Sequence, residues 1–173
     1  MKLKNNETIR TQRLTLRPFS DGDTEEMIAM LCDDEIKKTY MIPDLHDREK
    51  QMKMFNRFKE LSGSDEHFVY GIAAKGKLVG FMNEVDVDGS CVELGYVISP
   101  AHKGRGYATE ALCAAIDELF AVGLTCVRTG AFEENAASIR VMEKSGMTRT
   151  EQVDFIEYRG KNHRCVYYEK RKS

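Results

Sequence analysis

The chain has little with which to build a disulfide frame or a metal centre. Its five cysteines, Cys32, Cys91, Cys113, Cys126 and Cys165, are odd in number, scattered, and contain no C-x-x-C. They read as separate reduced core thiols. The four histidines, His46, His67, His102 and His163, are equally dispersed, so no metal is expected. No apolar run approaches the ~20 residues of a membrane span, and the polar start from Met1 to Glu7 is not followed by a signal-peptide core. A cytoplasmic protein with no membrane partner is the expectation. The formal net charge of −2 supplies no global basic field, which removes the first requirement for a nucleic-acid partner. Only three prolines are present, Pro18, Pro43 and Pro100, and each reads as the end of an element. With no repeat, linker or low-complexity tract, nothing divides the 173 residues, of which 42% are hydrophobic. One cored domain spanning 1–173 is expected.

What the chain does have is concentrated between residues 97 and 116. An apolar strand breaks at Pro100, passes a short basic glycine loop and enters a helix. Gly104 and Gly106 allow close backbone approach to a ligand, and the free N–H groups of the following helix turn favour an anion. Lys103 and Arg105 add positive charge. Ala108, Ala111, Leu112, Ala115, Ile116 and Leu119 follow helical spacing, so one face packs on a sheet and holds the loop rigidly. The segment lacks G-x-x-x-x-G-K-[ST] and the three-glycine dinucleotide fingerprint, which points to a different phosphate ligand.

In this loop, Lys103-Gly104-Arg105-Gly106-Tyr107-Ala108 resembles the [RQ]-x-x-G-x-[GA] loop of the GCN5-related N-acetyltransferases, with Lys where Arg or Gln is usual. The resemblance extends along nearly the whole chain. Arg13 to Pro18 looks like that family's first strand, Glu93-Leu94-Gly95-Tyr96-Val97-Ile98 like its fourth, and Asn135 to Ser138 with Lys144 to Met147 like its last helix and exit. The pieces are most similar to the branch that acetylates the N-termini of ribosomal proteins. The resemblance implies acetyl-CoA as donor, held by Tyr96, Val97, Ile98, Lys103, Gly104, Arg105, Gly106, Tyr107, Ala108, Thr109, Asn135 and Ser138. It also implies direct transfer to an amine, with no protein nucleophile.

Local patterns supply the rest of the fold. Leu14 and Leu16 alternate in a first strand, and Ser20 to Asp23 cap a helix running through Leu31. Cys32 to His46 is irregular, and a second helix runs from about Asp47 to Ser62-Gly63. Strands at 68–74, 78–87 and 91–98 are joined at Lys75-Gly76 and Asp88-Gly89, both with hairpin chemistry. After the glycine-loop helix come a strand at 125–131, a short helix capped by Asn135 and ending at Gly146, and two strands around Arg159-Gly160. The order β-α-α-β-β-β-α-β-α-β-β describes a mixed, mostly antiparallel α/β sheet with helices on both faces, in agreement with the GNAT fold that the resemblance implies.

Amine acetylation needs a proton acceptor, donors for the developing oxyanion and an acid for the thiolate. If Asp88-Gly89 is a two-residue loop, Val87 pairs with Ser90 and Glu84 stands opposite Glu93, each raising the proton affinity of the other. The same spacing fits two solvated glutamates, because a one-residue slip undoes the pairing. The resemblance favours Glu93 as base, since it falls in the family's E-x-G-Y strand, with Glu84 as helper or substitute. Asn135 and Ser138 have the spacing of a helix cap. In the ribosomal-protein branch the matching Ser is a candidate acid; many relatives use a later Tyr, but Ile139-Arg140-Val141-Met142 contains none.

The acceptor is not encoded in any readable motif. A protein N-terminus, a small amine such as a polyamine or amino sugar, and a non-catalytic acetyl-CoA-binding module on the same fold are the three readings. The segment 32–53 and the Arg159 hairpin are expected to shape the acceptor pocket, and the oligomeric state is left as monomer or homodimer.

Overall fold

The computed structural model describes residues 1–173 and contains one eight-stranded sheet. The strands are β1 (Ile9–Arg10), β2 (Leu14–Arg17), β3 (Val69–Ala74), β4 (Lys77–Asp88), β5 (Cys91–Ile98), β6 (Cys126–Phe132), β7 (Thr148–Tyr158) and β8 (Lys161–Arg171). Their spatial order is β1-β2-β3-β4-β5-β6-β8-β7. Every neighbouring pair is antiparallel except β5 with β6. The helices are α1 (Thr24–Leu31), α2 (Asp34–Lys37), α3 (Arg48–Ser62), α4 (Tyr107–Ala121) and α5 (Ala136–Lys144).

The two faces of the sheet have separate cores. Ala111, Leu112, Ala115, Ile116 and Leu119 of α4 pack with Leu94, Ile98 and Val127 on one face. On the other, Met27, Ile28 and Leu31 of α1 and Phe55 of α3 pack with Phe81 and Val97. The alternation of β5 explains both, because successive strand side chains point to opposite faces. No helix is long and apolar enough to cross a membrane.

The local signals produce most elements as read. Asp47 accepts from Lys50 N at 2.8 Å and starts α3, and Asn135 accepts from Ser138 N at 3.2 Å and starts α5. The segment expected to be irregular also contains α2, started by Asp33, which accepts from Ile36 N at 3.0 Å. β1 is a further addition, since its two residues are too few to show a period.

Two expectations need correction. The β4–β5 turn is Gly89-Ser90, closed by Asp88 opposite Cys91, and not Asp88-Gly89. Gly89 takes φ +59° at the first turn position, as a turn with glycine first requires. The five thiols are also not all separate: Cys91 and Cys126, partners in the β5–β6 register, form a disulfide, leaving Cys32, Cys113 and Cys165 free.

Candidate active site

The register of β5 and β6 creates the site. The two strands pair only from Cys91 opposite Cys126 to Leu94 opposite Thr129. Beyond that point β5 stays paired with β4 as far as Ile98, and β6 stays paired with β8 as far as Phe132. The strands therefore diverge, and their inner edges lose each other as hydrogen-bond partners. A cleft of about 430 Å³ occupies the wedge, lined by Gly95 to Ile98, Thr129 to Ala131, the start of α4 and one face of α5.

The glycine loop forms the outer wall. Gly104 and Gly106 have φ +76° and +79°, a left-handed conformation that other residues adopt only with strain. Lys103, Gly104, Gly106, Tyr107, Ala108 and Thr109 line the cleft, whereas Arg105 does not. The main-chain carbonyl of Arg105 instead accepts from Arg13 Nη1 at 2.7 Å. Arg13 Nε also binds Glu110 Oε1 at 2.8 Å, and Thr11 Oγ1 donates to Glu110 Oε2 at 2.5 Å. The connector from β1 to β2 thus fixes the first turn of α4. His102, Arg140 and Lys144 line the same cleft, and His102 Nδ1 is buried with no partner.

At the inner end, Tyr96 Oη and Ser138 Oγ are 2.9 Å apart. Asn135 and Ser138 both line the cleft. The side chains of Val97 and Ile98 are buried, one in each core. Burial pushes the Tyr96 phenol up to about 12, although the Ser138 hydrogen bond pulls it down.

The expected carboxylate pair does not form. Val85 is an extra residue in β4, so Glu84 pairs with Leu94 while Asp86 pairs with Glu93. Leu94 and Glu93 are adjacent in β5, which puts Glu84 and Glu93 on opposite faces of the sheet. Glu84 Oε1 lies 2.6 Å from His67 Nδ1, and its Oε2 is buried without a partner. Neither glutamate lines the cleft. Glu93 stands across the seam from Arg128, its register partner in β6. Burial raises the Glu93 carboxyl above the usual range; Arg128 opposes this, and Asp86 and Asp154 add to it.

The same face carries the remaining walls. Tyr40 donates to Asn83 Oδ1 at 2.5 Å, and a Cβ at Gly95 would lie 3.1 Å from its ring. Tyr158 Oη donates to the Lys37 carbonyl at 2.5 Å, and Arg159 binds Asp44 at 2.7 Å. These contacts join the 32–46 segment to the tip of the β7–β8 hairpin. One further cluster, Cys91, Cys126 and Glu169, holds its ligand atoms within 4.8 Å of one another. Its sulfurs are used in the disulfide, and its carboxylate is held by Arg128 and Arg171. No cysteine lines the cleft.

Residues 13–148 match the family described as Acetyltransferase (GNAT) domain. The chain belongs to the GNAT acetyltransferase family. It is 27% identical over 146 residues to "Uncharacterized N-acetyltransferase YoaA" of Bacillus subtilis (strain 168), covering 82% of each chain. A GNAT-family acetyltransferase structure from Bacillus anthracis superposes with TM-score 0.81 at 25% identity, covering 95% of this chain and 98% of that one. RimL, a ribosomal L7/L12 alpha-N-protein acetyltransferase solved with coenzyme A, superposes with TM-score 0.84 at 17% identity, covering 95% and 98%. This GNAT protein is thus an N-acetyltransferase with acetyl-CoA as its acetyl donor.

Proposed function

We propose that residues 1–173 act as a single GNAT domain that acetylates the α-amino group of a protein or peptide N-terminus in the cytoplasm. The observation that carries this reading is the seam between β5 and β6: the cleft opens where the strands part, and the Glu93 carboxyl flanks the last paired residues on the opposite face from Leu94. Donor and acceptor can then meet from two sides. The close superposition on RimL supports a protein N-terminus as acceptor.

Acetyl-CoA supplies the acetyl group as an activated thioester. Its pyrophosphate fits the loop from Lys103 to Thr109, where positive-φ glycines expose backbone N–H groups. Lys103, Arg140 and Lys144 add charge along that wall, and the unpartnered His102 Nδ1 is a polar atom that a ligand would satisfy. Tyr96, Val97, Ile98 and Asn135 line the inner part of the cleft and would flank the pantetheine arm. Glu93 accepts the amine proton through a water, since its carboxyl stands outside the cleft lining. Its raised proton affinity suits a base working near neutral pH. Ser138 offers its hydroxyl to the leaving sulfur.

The deciding experiment compares peptides with free or blocked N-termini against spermidine and an amino sugar, with thiol release from acetyl-CoA as the readout. Mass spectrometry should find the acetyl group on the peptide α-amine. Turnover of the small amines with none of the free peptides would overturn the acceptor assignment.

A further inference from the structure

We propose that Tyr96 is a positioning residue for the acid side of the reaction: its phenol donates to Ser138 Oγ, aims the serine proton into the cleft and replaces that proton as the thiolate leaves. This rests on Ser138 being the acid. Two elements fix the pair independently. Ser138 is held by the start of α5, where Asn135 Oδ1 accepts from its backbone N–H at 3.2 Å. Tyr96 is held by β5, opposite Met82 of β4, on the face that carries the α4 core. Their hydroxyl oxygens meet at 2.9 Å, and both residues line the cleft. The alternative acceptor for the phenol, the Ser138 carbonyl at 3.4 Å, is at the far limit of hydrogen bonding.

Proton affinity explains why a serine here needs a partner. An alkyl thiol titrates at about 8.5, whereas an alcohol hydroxyl holds its proton far above that. A lone serine that protonated the thiolate would be left as an alkoxide, a strongly uphill product. With Tyr96 behind it, the charge finishes on a phenolate instead. Even pushed up to about 12 by burial, that phenol is a far stronger acid than an alcohol.

The step then balances. The amine nitrogen bonds to the carbonyl carbon, the C–S bond breaks and its electron pair goes to sulfur. Ser138 protonates the sulfur, Tyr96 reprotonates Ser138, and the amine proton passes to Glu93. Glu93 then releases a proton to solvent and Tyr96 takes one up, which restores both groups.

Steady-state kinetics on Tyr96→Phe, Ser138→Ala and the double variant test the idea, with a free-N-terminus peptide and spermidine as parallel acceptors. Tyr96→Phe should lower kcat by roughly 10- to 100-fold while KM for acetyl-CoA stays within about twofold, and the double variant should be no slower than the slower single one. Site-specific Tyr96→3-fluorotyrosine, which keeps the hydroxyl, should hold kcat within about threefold of the parent enzyme. Thermal melting and acetyl-CoA binding report whether each variant is folded. A normal kcat for folded Tyr96→Phe, a change confined to KM, or losses that multiply in the double variant would each overturn the proposal. A normal kcat for Ser138→Ala would instead remove the assignment of Ser138 on which it rests.

Discussion

Arg13 and Arg105 meet through one side chain and one main chain: the Arg13 guanidinium donates to the Arg105 carbonyl at 2.7 Å. The same guanidinium holds Glu110 and stacks over the Tyr107 ring, 4.9 Å from its centroid. One cation therefore grips the glycine loop and the first helical turn behind it. The backbone geometry proposed to face the pyrophosphate is organised from outside the cleft.

Removing that grip should loosen the loop without dismantling the fold, because Arg13 is largely exposed and belongs to neither core. Arg13→Ala is expected to weaken acetyl-CoA binding by roughly 3- to 10-fold, the scale of one ordinary net hydrogen bond, because the loop is loosened and no ligand contact is removed. Arg13→Lys should recover little, since an ammonium lacks the planar fork that serves Arg105 and Glu110 together. Calorimetric affinities for the two variants check this; unchanged binding in Arg13→Ala would show that the loop holds its shape unaided.

The loop itself should discriminate sharply between a backbone change and a charge change. Gly106 sits at φ +79°, so Gly106→Val imposes strain and presses a side chain against Arg13, which distorts the loop proposed to hold the diphosphate. Binding should be lost. Lys103→Ala removes one charge among several donors and should only weaken it. Titration with acetyl-CoA distinguishes these outcomes, and normal affinity in folded Gly106→Val would refute the placement of the cofactor.

The loop was legible because its signal is local: glycines, charge and helical spacing within 20 residues describe one supersecondary unit. The contacts that complete it were not. Arg13 lies 92 residues from Arg105, and nothing at position 13 distinguishes a loop clamp from a solvated strand arginine. Cys91 and Cys126 are 35 residues apart and become neighbours only through the parallel pairing of β5 and β6. The carboxylate pairing failed for a reason internal to strands. The turn sits one residue later than the Asp88-Gly89 reading places it, which by itself sets Asp86 opposite Glu93, and the extra Val85 then shifts Glu84 opposite Leu94, onto the other face.

Activity should survive replacement of all five cysteines by small residues. None lines the cleft, and the direct transfer proposed here uses no thiol nucleophile. A chelator should likewise leave turnover intact. Some stability will be lost, because Cys126 and Cys165 are buried and the disulfide tethers β5 to β6. Thiol release must therefore be read on protein shown to be folded by circular dichroism; an inactive but folded cysteine-free enzyme would contradict direct transfer.

Glu93 and its true neighbour give the last test. Glu93→Gln should keep acetyl-CoA binding and reduce kcat by roughly 10²- to 10⁴-fold, as for a lost general base. Asp86→Asn removes a negative charge that raises the Glu93 carboxyl, so Glu93 ionises more easily and the acidic limb of the pH–rate profile moves to lower pH. Glu84→Gln, on the other face beside His67, should leave that limb where it is. Stability carries a matching signature. A carboxyl with a raised folded-state pKa contributes stability below its unfolded value and loses it as pH rises through the folded value. Glu93→Gln is therefore expected to raise the melting temperature at pH 8, with the gain shrinking toward pH 4. A variant that is catalytically impaired but gains no stability at pH 8 would show that the half-buried Glu93 carboxyl is not held above its ordinary range, and the raised proton affinity on which its role depends would have to be abandoned.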